Sequence, residues 1–280
     1  METVTVTSVS GGRTSSLMAL EYPTDYNVFA LVRIEDPTCS PKDPSITQYV
    51  EDKIKMPFIA TAESDLTLRV LIQLEQDLGK EIVWVTGPTF EQIIKNSNSA
   101  GDYLPNRRKR FCTHFMKLDP IFWWCYLYLF NCEDDFISMN IGYRIDEPQR
   151  TTNDIYNYVK STKNFGKNYQ NWEELEWRDC QFPLRKAGID SLMVRSYFAN
   201  KPAYIFPKYS NCVGCFNKTE AELREQFLYE PDKMAWFDFM EMVTGNSFNM
   251  GFYLSDLKNK EFSPEQIASM QALVTCNCTD

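Results

Sequence analysis

A run of small and hydroxyl residues near the start of the chain has the composition of an anion-binding loop. The run consists of Ser10, Gly11, Gly12, Arg13, Thr14, Ser15 and Ser16. Two glycines let backbone N–H groups turn toward a ligand with no Cβ in the way. A helix that starts at such a turn offers free N–H groups and the positive end of its dipole to a phosphate. The Gly-x-x-x-x-Gly-Lys spacing of a Walker P-loop is absent, which argues against an ordinary kinase or GTPase.

Cations that could bind phosphate or sulfate oxygens recur in two later segments. These cations are Arg110, Lys117, Arg144 and Arg150. Arginine makes paired, charge-assisted hydrogen bonds to such oxygens, and lysine acts as a point charge. Gly142 and Glu147 accompany the second pair, and Glu147 could orient one of the arginines. An ordinary salt-bridged loop is the alternative interpretation of each segment taken alone.

Two cysteines are close enough in sequence to bind one metal ion or cluster. Cys212 and Cys215 form a Cys-x-x-Cys pair with a glycine inside it, a spacing that lets two thiolates converge. A redox-active dithiol of the thioredoxin type is the rival interpretation, but no βαβ pattern carries the pair. Cys125 falls in an apolar segment and is expected to pack in the core. His114, the only histidine, is expected to be structural rather than a general base.

Three segments resemble, in family order, the PP-loop ATP pyrophosphatases and the related PAPS (phosphoadenosine phosphosulfate) reductases. Residues 9–15, Val-Ser-Gly-Gly-Arg-Thr-Ser, resemble their pyrophosphate-binding loop in the form typical of phages and mobile elements. Residues 110–120 resemble the Arg-x-Cys-Thr…Lys-x-x-Pro segment of this group, and residues 141–150 resemble its Gly-x-Arg-x-x-Glu-x-x-Arg segment. Together with the cysteine pair, the resemblance extends from about residue 5 to residue 220.

The resemblance implies an adenine nucleotide as ligand (ATP, or PAPS or AMP in its place), with Mg²⁺ as a possible companion. It also implies an iron–sulfur cluster bound by Cys112, Cys212 and Cys215. The phage-type relatives place a fourth cysteine a few residues after a Pro-Leu pair, whereas here Cys180 precedes that pair. Cys180 is therefore the candidate fourth ligand of a 4Fe-4S cluster. The alternatives are a three-cysteine cluster with an open iron, a zinc site, and no metal at all.

Two reactions are consistent with the resemblance, which implies catalytic roles for Cys112, Lys117 and Arg144. In the first, ATP is cleaved between its α- and β-phosphates, a substrate oxygen is adenylated, and sulfur or another nucleophile displaces AMP, as in a sulfur transferase. In the second, a thiolate reduces a bound sulfonucleotide, as in an oxidoreductase. We favour the first for two reasons. The tail around Cys276 and Cys278 lacks the Gly and His of the reductases' Glu-Cys-Gly-Leu-His motif, and a cysteine-bound cluster is expected. A catalytically silent nucleotide-binding protein of a phage or defence system is the third interpretation.

Alternating strands and helices must position these residues. The pattern predicts strands at residues 3–9, 27–34, 57–60, 81–85 and 136–141, and helices at 14–21, 45–53, 66–78 and 90–95. Gly79 is expected to end the third of these helices in the left-handed conformation. This alternation favours a doubly wound, mostly parallel α/β sheet of the Rossmann-like class. We expect residues 1–150 to form a nucleotide-binding core. Residues 151–280 are expected to form an α-rich, cysteine-bearing extension, packed on the core as one domain.

Charge and hydropathy exclude two further classes of protein. The net charge of −9 argues against a general nucleic-acid coat, so tRNA or DNA is expected only as a local substrate contact, and a small-molecule acceptor is equally open. The longest apolar run, residues 121–130, is about half of the ~20 residues that a membrane span needs, so a buried helix is expected there and no membrane partner. Nine cysteines without a visible signal peptide indicate a reducing, cytoplasmic setting. A homodimer is compatible with the sequence.

Overall fold

Five parallel strands form the central sheet of the computed structural model. The structure describes residues 3–96, 103–131, 135–147, 158–160, 172–174, 177–210 and 212–273. Within these ranges the strands are β1 (Thr5–Val9), β2 (Tyr26–Leu31), β3 (Arg33–Ile34), β4 (Ala60–Thr61), β5 (Ile82–Thr86), β6 (Ile137–Asn140), β7 (Tyr158–Lys160), β8 (Trp172–Glu174) and β9 (Arg178–Gln181). The sheet order is β5-β2-β1-β6-β9, and each neighbouring pair is parallel. β3 pairs with β4, and β7 with β8, as separate antiparallel ribbons.

Helices connect these strands and cover the sheet. The α-helices are α1 (Arg13–Glu21), α2 (Pro44–Ile54), α3 (Asp65–Leu78), α4 (Phe90–Asn96), α5 (Phe111–Thr113), α6 (Asp119–Tyr128), α7 (Pro183–Lys186), α8 (Ser191–Ala199), α9 (Glu220–Tyr229), α10 (Pro231–Thr244), α11 (Leu254–Leu257) and α12 (Pro264–Leu273). A π-helical turn, His114–Leu118, joins α5 to α6, and Pro37–Cys39 form a 3₁₀ turn. Across the described residues, every helix is too short or too polar to cross a membrane.

Alternate side chains of β2 show that helices pack on both faces of the sheet. Phe29 and Leu31 belong to one buried apolar cluster, to which α1 and α3 contribute. Val28 and Ala30 point the other way, into a second cluster that includes residues of α6. This is the period-two alternation of a strand buried on both faces. The predicted α/β class with a parallel, helix-covered sheet is therefore confirmed, and it is compatible with a Rossmann-like fold.

The strand order places a topological switch point at β1. β1 pairs with β2 on one side, through the α1 crossover, and with β6 on the other. In open α/β sheets, ligands bind in the crevice outside the carboxyl ends of the strands at such a point. The glycine loop follows β1, and the segment from Gly142 to Glu147 follows β6. The fold therefore brings these two sequence motifs to the same edge of the sheet.

Several sequence predictions differ from the structure in detail. The strand expected over residues 27–34 breaks after Leu31, and its last part leaves the sheet to pair with the short β4. The apolar helix expected at residues 121–130 is only partly buried, since Leu127 and Tyr128 are 67% and 73% exposed. Gly79 ends α3 in the left-handed conformation, as expected. β9, which lies beyond residue 150, completes the central sheet beside β6.

Candidate functional site

The N-terminus of α1 is open at the switch point. Gly12 is its N-cap residue, with an extended backbone (φ −89°, ψ 159°), and no side chain caps the helix. The first intrahelical bond runs from the Ser16 N–H to the Gly12 carbonyl at 3.0 Å. The N–H groups that precede it have no partner within the helix. They are the donors that an anionic ligand could use.

The two glycines of the loop have different structural roles. Gly11 has a φ of +68°, and a Cβ added there would lie 2.6 Å from Thr67 Cγ2 and 2.9 Å from the Thr67 carbonyl oxygen. α3 therefore packs directly against the loop at a position that only glycine fits. At Gly12 the nearest atom to an added Cβ is Ser10 Oγ at 3.5 Å. Gly12 thus leaves open space rather than filling a packing requirement.

Serine side chains stabilise the turn from within. The Ser15 hydroxyl accepts a hydrogen bond from the Ser10 N–H at 3.0 Å and donates one to the Gly12 carbonyl at 3.2 Å. Ser16 is completely buried, and its hydroxyl has no hydrogen-bond partner in the structure. Ser10 and Ser15 therefore bond to the loop itself, while Ser16 lies beneath it.

The segment after β6 lies against the glycine loop. A Cβ at Gly142 would lie 3.4 Å from Thr14 Cγ2. Arg144 Nη1 donates to Thr14 Oγ1 at 2.9 Å, and the Arg144 side chain also pairs with Asp146 at 2.9 Å and Glu147 at 3.5 Å. Glu147 is 1% exposed and accepts the Arg144 N–H. Glu147 thus orients an arginine, as the sequence suggested, and that arginine is Arg144.

A polar cavity of about 480 Å³ opens at the start of α1. Its charged lining comprises Arg13, Arg144, Arg195, Lys208, Glu147 and Glu222. The Arg13 guanidinium lies 4.7 Å from the centre of the Phe206 ring. Burial, and to a smaller extent the charge of Arg195, lower the pKa of Arg13. Like charges held this close favour an anionic ligand between them.

A second cavity of about 550 Å³ adjoins the first and shares Phe206, Pro207 and Lys208 with it. It lies between the start of α3 and the start of α10. Leu66 and Tyr229 add to its apolar walls, while Lys233 is the buried cation of its lining. A flat, mostly apolar group attached to an anion would fit the two cavities together.

The Arg110-to-Lys117 segment lies beside this region and is not part of the lining of the polar cavity. Arg110 is the N-cap of α5, and Cys112 packs, partly buried, against an apolar cluster beyond the carboxyl end of β2. Lys117 Nζ lies 3.8 Å from Glu63 Oε1. His114 Nε2 is 3.5 Å from Asp119 Oδ1.

The Cys212–Cys215 turn is firmly packed. The Cys215 N–H donates to the Cys212 carbonyl at 3.1 Å, and the Val213 N–H donates to the Ala62 carbonyl at 2.7 Å. A Cβ at Gly214 would lie 2.3 Å from the Phe237 ring. The glycine inside the Cys-x-x-Cys pair is thus required by packing.

The structure does not gather the four cysteines of the expected cluster. Cys112 and Cys212 pack against the apolar cluster beyond β2, whereas Cys180, on β9, packs against the cluster under α6. No group of three or more His, Cys, Asp or Glu side chains within the described ranges could hold a metal ion. The described residues therefore show no metal-binding group, and the expected iron–sulfur cluster stays a prediction. Cys125 is buried in the core as expected, and burial raises its pKa to about 12.

Other predicted residues cannot be placed. Arg150, Cys276 and Cys278 lie outside the described residues. Conversely, Arg195 and Phe206 line the polar cavity and were not among the residues predicted from the sequence. Their only signals were a cation on a helix and an aromatic residue before a proline, and neither is specific.

Comparison with protein-family models, with curated proteins and with solved structures found no match to this chain. The resemblance of the three sequence segments to the PP-loop family stays a prediction.

Proposed function

We propose that the protein binds an adenine nucleotide at the carboxyl edge of its sheet and acts as a PAPS-reductase-like PP-loop enzyme. One observation carries this proposal. The uncapped N-terminus of α1 faces a cavity lined by Arg13, Arg144 and Arg195 at the switch point of the sheet. A helix N-terminus with several arginines around it is an arrangement suited to phosphate groups.

The polar part and the apolar part of the ligand would occupy different cavities. The phosphates would lie against Gly12 to Ser15 and the arginines. The nucleoside would extend past Phe206 into the second cavity, whose wall includes Leu66 and Tyr229. Aromatic and aliphatic walls suit a flat purine. ATP, PAPS and AMP share these two parts, and a Mg²⁺ ion carried by the phosphates is compatible with the site.

The reaction that we propose is ATP-dependent adenylation followed by sulfur transfer. An oxygen of the acceptor attacks the α-phosphorus, the bond between the α- and β-phosphates breaks, and pyrophosphate leaves with its charge balanced by the arginines. A sulfur nucleophile then displaces AMP. No step of this scheme passes through a metal cluster, because the described cysteines do not assemble one.

Arg195 offers a clean test of the phosphate site. Its guanidinium is exposed and bonds only within its own helix, to Ser191, so its removal should not disturb the fold. A hydrogen bond to a charged group contributes about 1.5–3 kcal/mol. Arg195→Met should therefore weaken ATP binding by roughly tenfold to a hundredfold in calorimetry.

Arg69→Met is the matched control. Arg69 is an exposed arginine paired with Asp43 at 2.7 Å, and it lines neither cavity. Its replacement should leave the affinity for ATP unchanged. Equal affinities of the wild type and the Arg195 variant, or no binding of ATP, PAPS or AMP by the wild type, would contradict the proposal.

A further inference from the structure

Glu63 is a buried carboxylate that the sequence motifs do not include. It lies between β4 and α3 and is 3% exposed. Its N–H donates to Thr61 Oγ1 at 3.1 Å, and that hydroxyl donates to the Val32 carbonyl at 2.8 Å. The backbone of Glu63 is thereby held just beyond the carboxyl end of β2.

The carboxylate of Glu63 faces Lys117. Oε1 lies 3.8 Å from Lys117 Nζ, which is too long for a hydrogen bond, and Oε2 is buried with no hydrogen-bond partner. Lys233 is near, but its ammonium group donates to Asp65 Oδ1 and to the backbone carbonyl of Glu63, both at 2.7 Å. It also pairs with Glu230 at 3.5 Å. The cation opposite the carboxylate is therefore Lys117.

Glu241 provides a comparison within the same protein. It is 1% exposed, and burial raises the pKa of both Glu63 and Glu241 to about 7. The Glu241 carboxylate, however, accepts the N–H groups of Phe248 at 2.8 Å and Leu254 at 2.6 Å. Glu241 thus stabilises a loop through two backbone hydrogen bonds. At Glu63 the backbone of Val32 and the charges of Lys117 and Lys233 offset the burial only in part, and Oε2 keeps no hydrogen-bond partner. Buried polar groups in proteins are normally hydrogen-bonded, so a buried carboxylate oxygen without a hydrogen-bond partner points to a function.

We propose that Glu63 is a positioning residue for Lys117, holding its ammonium group in place for an anionic group of the bound ligand. The pair is next to the second cavity, because Ser64 and Asp65, which follow Glu63, line that cavity together with Lys233. Lys117 belongs to a π-helical turn, a local geometry frequent at functional sites. The inference rests on the proposed function, in which the nucleoside occupies this second cavity. The anionic group is then the phosphate that the nucleoside carries where the two cavities adjoin.

Whether replacing Glu63 strengthens or weakens ATP binding shows whether Glu63 positions Lys117 or acts only through its negative charge. Removing a carboxylate near an anionic ligand strengthens binding electrostatically. A variant that loses the positioning of Lys117 binds the ligand more weakly. We therefore expect Glu63→Gln to weaken ATP binding about tenfold in calorimetry, and Glu63→Asp, which keeps the charge but withdraws it from Lys117, to weaken it as well. In a Lys117→Met background, Glu63→Gln should cause no further loss.

Glu241→Gln is the matched control, and it should lower the melting temperature while leaving the affinity for ATP unchanged. A second readout needs no nucleotide. Acetic anhydride acetylates a lysine only when its amine is neutral, and mass spectrometry can follow the acetylation of Lys117 as a function of pH. An opposite charge nearby raises the pKa of a lysine. The acetylation profile should therefore shift to lower pH by about one unit in Glu63→Gln and stay unchanged in Glu241→Gln.

The possible failures are distinguishable. If the wild type binds no ATP, PAPS or AMP, the proposed function is wrong and this inference falls with it. If the wild type binds ATP and Glu63→Gln binds it equally well or more tightly, the inference alone is wrong. An unchanged acetylation profile of Lys117 in Glu63→Gln would also overturn it.

Discussion

Replacing Gly11 should destabilise the protein, whereas replacing Gly12 should leave it folded and block the ligand. Gly11 has a φ of +68°, which costs an alanine roughly 1–2 kcal/mol. The new Cβ would also lie 2.6 Å from Thr67 Cγ2 and 2.9 Å from a backbone oxygen. Overpacking of this kind costs typically about 1–3 kcal/mol, and the stiffer unfolded chain offsets about 0.4–1 kcal/mol.

The net loss for Gly11→Ala is therefore about 1–4.5 kcal/mol. In domains of about 150–250 residues, 1 kcal/mol changes the melting temperature by about 2–4 °C, so the midpoint should fall by roughly 2–18 °C. Gly12→Ala should melt like the wild type, because φ −89° and ψ 159° suit any residue and the nearest atom to the new Cβ is 3.5 Å away.

Thermal melts with and without ATP test both parts. At a hundred times its dissociation constant, ATP should add about 2.7 kcal/mol to the stability of the wild type. Gly12→Val should fold but show no such increase, because its side chain would occupy the phosphate position at the start of α1. Wild-type melting of Gly11→Ala would refute the close packing of the loop on α3. A wild-type response of Gly12→Val to ATP would refute the nucleotide site.

Three further predictions concern pH, packing and chemistry. Burial raises the pKa of the Glu63 carboxyl from 4.5 in the unfolded chain to about 7 in the folded protein. Between these two pKa values the folded state binds a proton that the unfolded state does not, so the free energy of unfolding should fall as the pH rises from about 5 to 7. In urea unfolding, Glu63→Gln should lose less stability over this pH range than the wild type. Gly214→Ala should lower the melting temperature by several degrees without changing ATP affinity, because its Cβ meets the Phe237 ring at 2.3 Å. The full-length protein should release no sulfite from PAPS with thioredoxin, and sulfite release that is lost when Cys276 and Cys278 become Ser would favour the reductase instead.

The fold could be predicted where hydrophobic periodicity was strong. β1, β5 and β6 lie within one residue or two of their predicted bounds, and Gly79 marked the end of α3. Which strands pair with each other could not be predicted from the sequence. The apolar run that begins at Asn27 continues past Leu31, but the hydrogen bonds of Arg33 and Ile34 go to β4. Periodicity reports which side chains are buried and does not report which strand is the neighbour.

The local structure of the candidate site was predictable where one segment contains both the turn and the helix start. The Ser10-to-Ser16 run combines a strand end, two glycines and a helix start, so its local sequence predicted the open helix terminus that the structure has. Arg195 and Phe206 enter the cavity through long-range packing of α8 and the chain that follows it. No local pattern contains that information. Glu63 was missed for the same reason, because its significance depends on burial and on Lys117.

The cysteines show how far spacing alone can be trusted. Cys-x-x-Cys spacing describes a tight turn, and the turn at Cys212 and Cys215 exists, with the Cys215 N–H bonded to the Cys212 carbonyl. Whether two more thiolates reach that turn depends on tertiary structure. Cys180 is opposite Met139 in the pairing of β9 with β6, and it packs, partly buried, against the cluster under α6, whereas Cys112 and Cys212 pack against the cluster beyond β2. The strand register that sets the position of Cys180 is a long-range property, which the spacing of cysteines along the chain does not contain. The four-cysteine site therefore stays a prediction that spacing alone could not decide.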